Sequence, residues 1–231
     1  MPVAMPRAIL FDLDGTLADT APDLAAALNL LRAARGLTPT PYALLRPVAS
    51  AGARGLIGAA FSLKPGDDGY EELRVGFLDN YAAALAVETR LFDGIAALLQ
   101  RLDQRGLAWG IVTNKAARFT DALVPQIGLH AAGCVISGDT TAHAKPHPAP
   151  LLEAARRLQL APQDCWYVGD DLRDIQAGQA AGMPTVAAAW GYCGHVEPLT
   201  WGADAMVDAP LDLLALIDSN TLAPLAKRQR D

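Results

Sequence analysis

Short apolar runs that end abruptly in polar or acidic residues recur along this chain, separated by stretches with helical spacing of apolar residues. The first run, residues 7–11, leads directly into Asp12 and Asp14. The other four runs cover residues 107–112, 134–136, 165–168 and 185–189. Short buried strands that alternate with helices form crossover units, and these build parallel sheets. The sequence therefore predicts an α/β fold with a Rossmann-like parallel sheet covered by helices on both faces.

A second kind of sequence pattern separates the first strand from the others. Residues 19–89 show helical periodicity without a good strand, interrupted by turn-forming residues at 38–41 and 64–69. The predicted helices cover residues 22–35, 42–49, 53–61 and 70–86. We therefore predict a core made of residues 1–18 and 90–231, with a helical cap, residues 19–89, inserted after the first strand.

Composition limits the partners of the chain. Its 231 residues include 19 basic and 25 acidic side chains, for a net charge of −6, and 52% of the residues are hydrophobic. A chain of this length can bury roughly 70% of its unfolded surface. The acidic balance argues against a nucleic-acid partner, and no run approaches the ~18 apolar residues of a membrane span. The three cysteines, Cys134, Cys165 and Cys193, show no CxxC spacing and cannot all form disulfide pairs, which is typical of a protein in a reducing compartment. We expect a cytoplasmic protein, monomeric or weakly dimeric, with a small-molecule ligand.

The polar residues that follow the predicted strands should meet at one edge of the sheet, because ligands of open parallel sheets bind outside the carboxyl ends of the strands. These residues are Asp12, Asp14, Thr113, Asn114, Asp170 and Asp171, with Lys145 entering from a loop. Several carboxylates in one cleft repel each other unless a cation joins them. Because a few hard oxygen ligands suit Mg²⁺, we predict a magnesium site that a substrate phosphate can complete.

Four motifs in this order give the chain a family resemblance that covers nearly its whole length. They are residues 11–17, residues 112–115, residues 145–146 and residues 168–175. With these motifs the chain resembles phosphatases of the haloacid dehalogenase superfamily that carry a helical cap after the first motif. The resemblance implies the fold of that superfamily, a catalytic core and Mg²⁺ as cofactor.

The resemblance also implies catalytic roles for three residues. Asp12 corresponds to the nucleophile that forms an aspartyl-phosphate. Asp14 corresponds to the general acid and base, with its backbone carbonyl also reaching the metal, and Lys145 to the cation that neutralises the phosphate and Asp12. Together with Asp12 and Asp14, Asp170 completes the implied metal ligands.

Substrate contacts are predicted for three further residues. Thr113 and Asn114 correspond to groups that hydrogen-bond the phosphoryl oxygens. Arg54 lies in a glycine-flanked turn of the cap, from which we expect it to reach the cleft and bind a substrate carboxylate. The roles of Asp171 and Asp174 stay open between holding waters of the metal and orienting Lys145.

Several functions share this set of motifs. Within the phosphatases, the chain resembles phosphoglycolate phosphatases and, more specifically, enzymes that dephosphorylate N-acetylmuramic acid 6-phosphate. The second likeness lies in residues 51–55, 91–94, 169–175 and 201–204. We expect hydrolysis of a small phosphomonoester that carries a carboxylate. A phosphomutase and a non-catalytic receiver-like phosphoacceptor module are the alternatives. Dehalogenation is disfavoured, because dehalogenases of the superfamily lack an acid at the position of Asp14.

Overall fold

A six-stranded parallel sheet forms the centre of the molecule, and it confirms the predicted α/β class. The computed structural model describes residues 5–219 and residue 222. The sheet order is β5-β4-β1-β6-β7-β8, with β1 in the interior. Its strands are β1 (Ala8–Phe11), β4 (Ala108–Val112), β5 (Val135–Ile136), β6 (Cys165–Gly169), β7 (Thr185–Ala188) and β8 (Ala205–Val207). We predicted five of these strands. The sixth, β8, is a three-residue edge strand, too short to give a periodic pattern.

The strand register brings three strand ends to one place. Phe11 pairs with Ile111 on β4 and with Val168 on β6. The residues that follow therefore leave the sheet side by side. The strand order also reverses around β1, and open parallel sheets bind ligands at such a crevice.

Alternation along the strands divides the core between the two faces of the sheet. Ile9 and Phe11 belong to a hydrophobic cluster that also contains Leu98, whereas Leu10 belongs to a second cluster with Leu151. The helices of this part of the chain are α5 (Ile95–Gln104), α6 (Ala117–Gln126), α7 (Ala149–Leu158), α8 (Leu172–Ala180) and α9 (Asp212–Ser219).

Four helices occupy the segment for which we predicted a cap. They are α1 (Ala21–Ala33), α2 (Tyr42–Leu45), α3 (Gly52–Phe61) and α4 (Tyr70–Ala83). The predicted helix over 42–49 is wrong in its second half, because Arg46–Ala51 forms a 3-10 helix with Pro47 in its first turn. Proline has no N–H to donate to the preceding helical turn, which favours an end of the α-helix near this point.

A short antiparallel ribbon joins the four helices to the sheet domain. It consists of β2 (Ala18–Asp19) and β3 (Arg90–Leu91), with Asp19 paired to Arg90. The ribbon lies at the two boundaries proposed for the cap. Two residues a strand are too few for a sequence pattern, so the ribbon was not predicted. No helix among residues 5–219 has the length and apolar character needed to cross a membrane.

Candidate active site

Asp12 is held in a buried position directly after β1. Only 6% of its surface is exposed, and its backbone N–H donates to the carbonyl of Val168 on the adjacent strand. One carboxylate oxygen, Oδ1, accepts a 2.7 Å bond from the N–H of Leu13 and lies 2.8 Å from Lys145 Nζ. Asp12 also lines the cavity described below.

Lys145 is the centre of a buried polar network. Its ammonium contacts Asp12, Asp174 Oδ1 at 2.7 Å, the Val112 carbonyl at 2.9 Å and the Tyr167 hydroxyl at 2.7 Å. Burial opposes its charge, but the two carboxylates outweigh burial and raise the pKa of Lys145 above its ordinary value. Lys145 therefore remains an ammonium beside Asp12.

The side chain of Asn114 fixes the backbone at Lys145. Asn114 Nδ2 donates to the Lys145 carbonyl at 2.9 Å, and Asn114 Oδ1 accepts from the Lys145 N–H at 2.9 Å. Thr113 also lines the cavity, and its Oγ1 accepts from the N–H of Lys115 at 3.2 Å. The contacts of Asn114 position Lys145, while the phosphoryl contacts expected of Thr113 and Asn114 stay predictions.

Asp14 forms a separate buried ion pair on the side of the site nearest the cap helices. Lys115 Nζ lies 2.9 and 3.2 Å from its two oxygens, and Thr20 Oγ1 donates to Oδ1 at 2.5 Å. The ammonium of Lys115 lies 4.6 Å from the centre of the Tyr81 ring on α4. Burial opposes the charge of Lys115, yet Asp14 and Tyr81 raise its pKa above the ordinary value. Asp14 is therefore bound to a cation that touches the cap.

Asp170 follows β6 and is completely buried. Its oxygens accept from Thr16 Oγ1 at 2.7 Å, from the N–H of Tyr192 at 3.0 Å and from Ser50 Oγ at 3.0 Å. Gly15 has a φ of +89°, and a Cβ at this position would overlap the Asp170 carboxylate. The glycine of the first motif is thus required by the close approach of the two loops.

Three carboxylates lie close enough to share a cation. Ligand oxygens of Asp12, Asp170 and Asp174 are within 4.8 Å of one another. Among the described residues, Lys145 is the cation paired with Asp12 and Asp174, and Asp170 has no cationic partner. Burial, opposed by Lys145 and reinforced by Asp174, raises the pKa of Asp12 to about 7, and burial with repulsion from Asp12 raises that of Asp170 well above its ordinary value. Three buried acids with one ammonium fit a bound cation, and oxygen ligands suit a hard one.

The predicted metal ligands Asp12 and Asp170 are both members of this cluster. The side chain of Asp14 is outside it and pairs with Lys115 instead, while its backbone carbonyl accepts from Ser50 Oγ at 3.3 Å. The backbone role predicted for Asp14 stays a prediction.

Asp171 and Asp174 begin α8 and have different partners. Asp171 is the N-cap, and Asp174 completes a capping box by accepting from the Asp171 N–H at 3.1 Å. Arg173 pairs with Asp171 at 2.7 Å and donates to the Ser50 carbonyl at 2.9 Å. Of the two roles left open, contact with Lys145 belongs to Asp174, whereas Asp171 orients an arginine that reaches the cap.

A cavity of about 570 Å³ lies between this network and the cap helices. Asp12, Asp14, Thr113, Asn114 and Lys145 all line it. The structure does not bring Arg54 to the cavity. Arg54 is exposed on α3, a helix whose packing buries Leu56 and Ile57, and it is not among the lining residues.

Sequence reasoning missed three side chains of the site. Tyr167 has no role in the sequence analysis, although a tyrosine in an apolar strand needs a partner for its hydroxyl. Lys115 is part of the second motif but received no role. No sequence pattern indicates a role for Ser50, because its contacts with Asp170 and Asp14 join segments that are far apart in the chain.

Comparisons with known proteins agree with this geometry. Residues 6–182 match the haloacid dehalogenase-like hydrolase family. A phosphoglycolate phosphatase of Xanthomonas campestris pv. campestris is 50% identical over 90% of this chain and 95% of its own length. An N-acetylmuramic acid 6-phosphate phosphatase of Pseudomonas putida is 45% identical over 92% of this chain and 96% of its own length.

A solved structure supports the same fold. The crystal structure of a predicted phosphoglycolate phosphatase from Haemophilus somnus 129pt superimposes with a TM-score of 0.80 at 24% identity, over 92% of this chain and 98% of that one. The family and the phosphatase class predicted from the sequence are confirmed by these matches together. The chain belongs to the haloacid dehalogenase-like hydrolase family.

Proposed function

We propose that this protein is a Mg²⁺-dependent phosphomonoesterase that forms an aspartyl-phosphate on Asp12. Its substrate is a small phosphorylated metabolite with a carboxylate, either N-acetylmuramic acid 6-phosphate or 2-phosphoglycolate. The observation that carries the proposal is the position of Asp12, bound to Lys145 on one side and facing a 570 Å³ cavity on the other. The two relatives with these substrates in their names, at 50% and 45% identity, support the substrate class.

The first half of the reaction transfers the phosphoryl group to the protein. Asp12 attacks phosphorus, the bond between phosphorus and the ester oxygen breaks, and Asp14 gives the leaving alkoxide a proton. Lys145 holds the carboxylate of Asp12 in place and compensates negative charge on the phosphoryl oxygens. Thr113 and Asn114 supply hydrogen bonds to those oxygens.

The second half releases inorganic phosphate. Asp14 takes a proton from water, water attacks phosphorus, and the bond between phosphorus and the Asp12 oxygen breaks. Asp12, Asp170 and the backbone carbonyl of Asp14 would hold Mg²⁺, with Asp174 close to the first two. When bound, the ion supplies positive charge that screens the acids from each other and from the phosphate.

A substrate screen tests the proposal. Purified protein with Mg²⁺ is offered p-nitrophenyl phosphate and a set of phosphorylated metabolites that includes both named acids, and released phosphate is measured with and without excess EDTA. We expect EDTA-sensitive release from several esters, with the carboxylate-bearing ones preferred. Isomerisation of a sugar monophosphate that depends on a sugar bisphosphate, without release of inorganic phosphate, would indicate a phosphomutase. Phosphorylation without turnover would indicate a receiver-like module. A cytoplasmic location and a monomer or weak homodimer stay part of the proposal.

A further inference from the structure

The basic side chains around the cavity differ in whether they already have an acidic partner. The lining contains Arg74, Lys115, Arg118, Lys145 and Arg173. Lys145 contacts Asp12 and Asp174, Lys115 contacts Asp14, Arg173 contacts Asp171, and Arg74 contacts Glu71 at 3.2 Å. For Arg118, no carboxylate among residues 5–219 lies within ion-pair distance. Arg118 is therefore the basic group of this lining that is available to an anionic ligand.

Arg118 lines the cavity from the start of a core helix. Arg118 lies in the first turn of α6, three residues after Lys115, and Ala116 just before the helix also lines the cavity. The first turn of a helix carries partial positive charge, so a cation is unfavourable there unless an anion approaches. At this helix end the carboxylate of Asp139, which also lines the cavity, already accepts a 2.8 Å hydrogen bond from the N–H of Ala117. The guanidinium of Arg118, which forms no ion pair with a described carboxylate, is thus the group on this side of the cavity that remains to bind an anion.

The guanidinium also has a restricted orientation. Its central carbon lies 4.5 Å from the centre of the Phe119 ring, and Phe119 is buried and contacts Tyr81 of the cap. An arginine that rests on an aromatic ring keeps its N–H groups free at the edges for a bidentate contact with a planar carboxylate.

We propose that Arg118 binds the carboxylate of the substrate and selects phosphomonoesters that carry a second anionic group. The inference rests on the proposed function, and it assigns to α6 of the core the role that the sequence suggested for Arg54 of the cap. One end of the cavity would hold the phosphate, next to Asp12 and Lys145, and the other would hold the acid.

Two substrate pairs isolate the carboxylate. One pair is 2-phosphoglycolate and 2-hydroxyethyl phosphate, and the other is N-acetylmuramic acid 6-phosphate and N-acetylglucosamine 6-phosphate. Arg118→Ala should lower kcat/KM by about 5- to 30-fold for the acid of the pair that the wild type prefers, since charge-assisted hydrogen bonds are strong but this side chain is exposed. For the substrate of the pair that lacks the carboxylate, kcat/KM should change by less than about twofold. Arg118→Lys should restore part of the loss, because it keeps the charge without the bidentate geometry.

Three matched variants separate the inference from its rivals. Arg101→Ala on the exposed surface of α5 should leave all four substrates unchanged. Arg54→Ala should also show no difference between acid and neutral substrates, and a carboxylate-specific loss for Arg54→Ala but not Arg118→Ala would overturn the proposal. Asp79→Ala tests whether Arg118 instead closes the cavity by pairing with Asp79 on α4. In that event both variants would slow acid and neutral substrates alike.

Failure of this inference is distinguishable from failure of the proposed function. If the wild type hydrolyses p-nitrophenyl phosphate with Mg²⁺ but Arg118→Ala leaves the ratio of acid to neutral kcat/KM unchanged, the phosphatase proposal stands and the role of Arg118 is wrong. If no phosphomonoester is hydrolysed by the folded wild type, both are wrong.

Discussion

The core side and the cap side of the cavity differ in how firmly their polar groups are held. On the core side, Lys145 is 5% exposed and has four polar partners, and Asp170 is fully buried with three hydrogen bonds. On the cap side, Arg74 is half exposed and paired only with a more exposed glutamate. Polar groups held in a fixed network are suited to stabilise a transition state, whereas exposed side chains of the cavity lining are suited to discriminate among substrates. We therefore expect substitutions in the buried network of the core to abolish the reaction, and substitutions of exposed lining residues, Arg118 of α6 included, to shift the preference among substrates.

The nucleophile gives the sharpest test of this difference. Asp12→Asn should lower kcat by about 10³-fold or more for every phosphomonoester, because an amide does not attack phosphorus. The variant should remain folded by circular dichroism. Asp121→Asn, an exposed acid on α6 outside the cavity, is the matched control and should retain activity. Turnover by Asp12→Asn within tenfold of the wild type would contradict the proposed mechanism.

The buried lysine should affect both activity and stability. Lys145→Met leaves Asp12 and Asp174 without their shared ammonium, and breaking a buried ion pair costs about 3–5 kcal/mol. We expect a Tm lower by roughly 6–20 °C for a chain of this size, measured without added metal, and a kcat lower by about 10²-fold or more. Lys64→Met, at an exposed turn of the cap, should change the free energy of unfolding by less than about 0.5 kcal/mol. Equal Tm values for the two variants would show that the buried network around Lys145 contributes no more to stability than the exposed side chain of Lys64 in the cap.

Asp14 lies where core and cap meet, and its role is tested by changing the leaving group. In a single turnover measured by rapid quench, Asp14→Asn should slow alcohol release from an alkyl phosphate by about 10²-fold or more, because an alkoxide needs a proton. Release of p-nitrophenolate should fall much less, since this anion leaves without protonation. Equal losses for both esters would mean that Asp14 acts through its pair with Lys115 and not as an acid.

The smallest expected effect belongs to the cap residue that reaches the core. Ser50→Ala removes the part-buried hydroxyl that lies 3.0 Å from an Asp170 oxygen and 3.3 Å from the Asp14 carbonyl, and a hydrogen bond of this kind contributes about 0.5–1.5 kcal/mol. We expect kcat/KM to fall by about 2- to 10-fold for all substrates, with little change in Tm. Thr38→Ala, which removes an exposed hydroxyl elsewhere in the cap, is the control. A loss as large as that of Lys145→Met would show that the cap belongs to the catalytic network, and the contrast between the two sides would fail.

The sequence alone was sufficient for five of the six strands of the sheet and for the acids that follow them. Asp12, Thr113 and Asp170 each follow an apolar strand, and parallel strands deliver their carboxyl ends to one edge whatever the details of packing. Local periodicity likewise predicts a helix over 53–61, which the structure shows as α3, Gly52–Phe61. These features depend on residues near each other in the chain, so local pattern is enough to determine them.

Only the tertiary structure decided which side chains meet across distant segments. Tyr167 of β6 contacts Lys145 of a loop 22 residues earlier, and Ser50 contacts Asp170 across 120 residues of sequence. The sequence predicts Arg54 as the arginine of the substrate site, but the packing of α3 leaves Arg54 exposed outside the cavity. Arg118 lines the cavity instead. The rotation of a cap helix depends on how its apolar face docks against its neighbours, and no local pattern encodes which polar residue then faces the core.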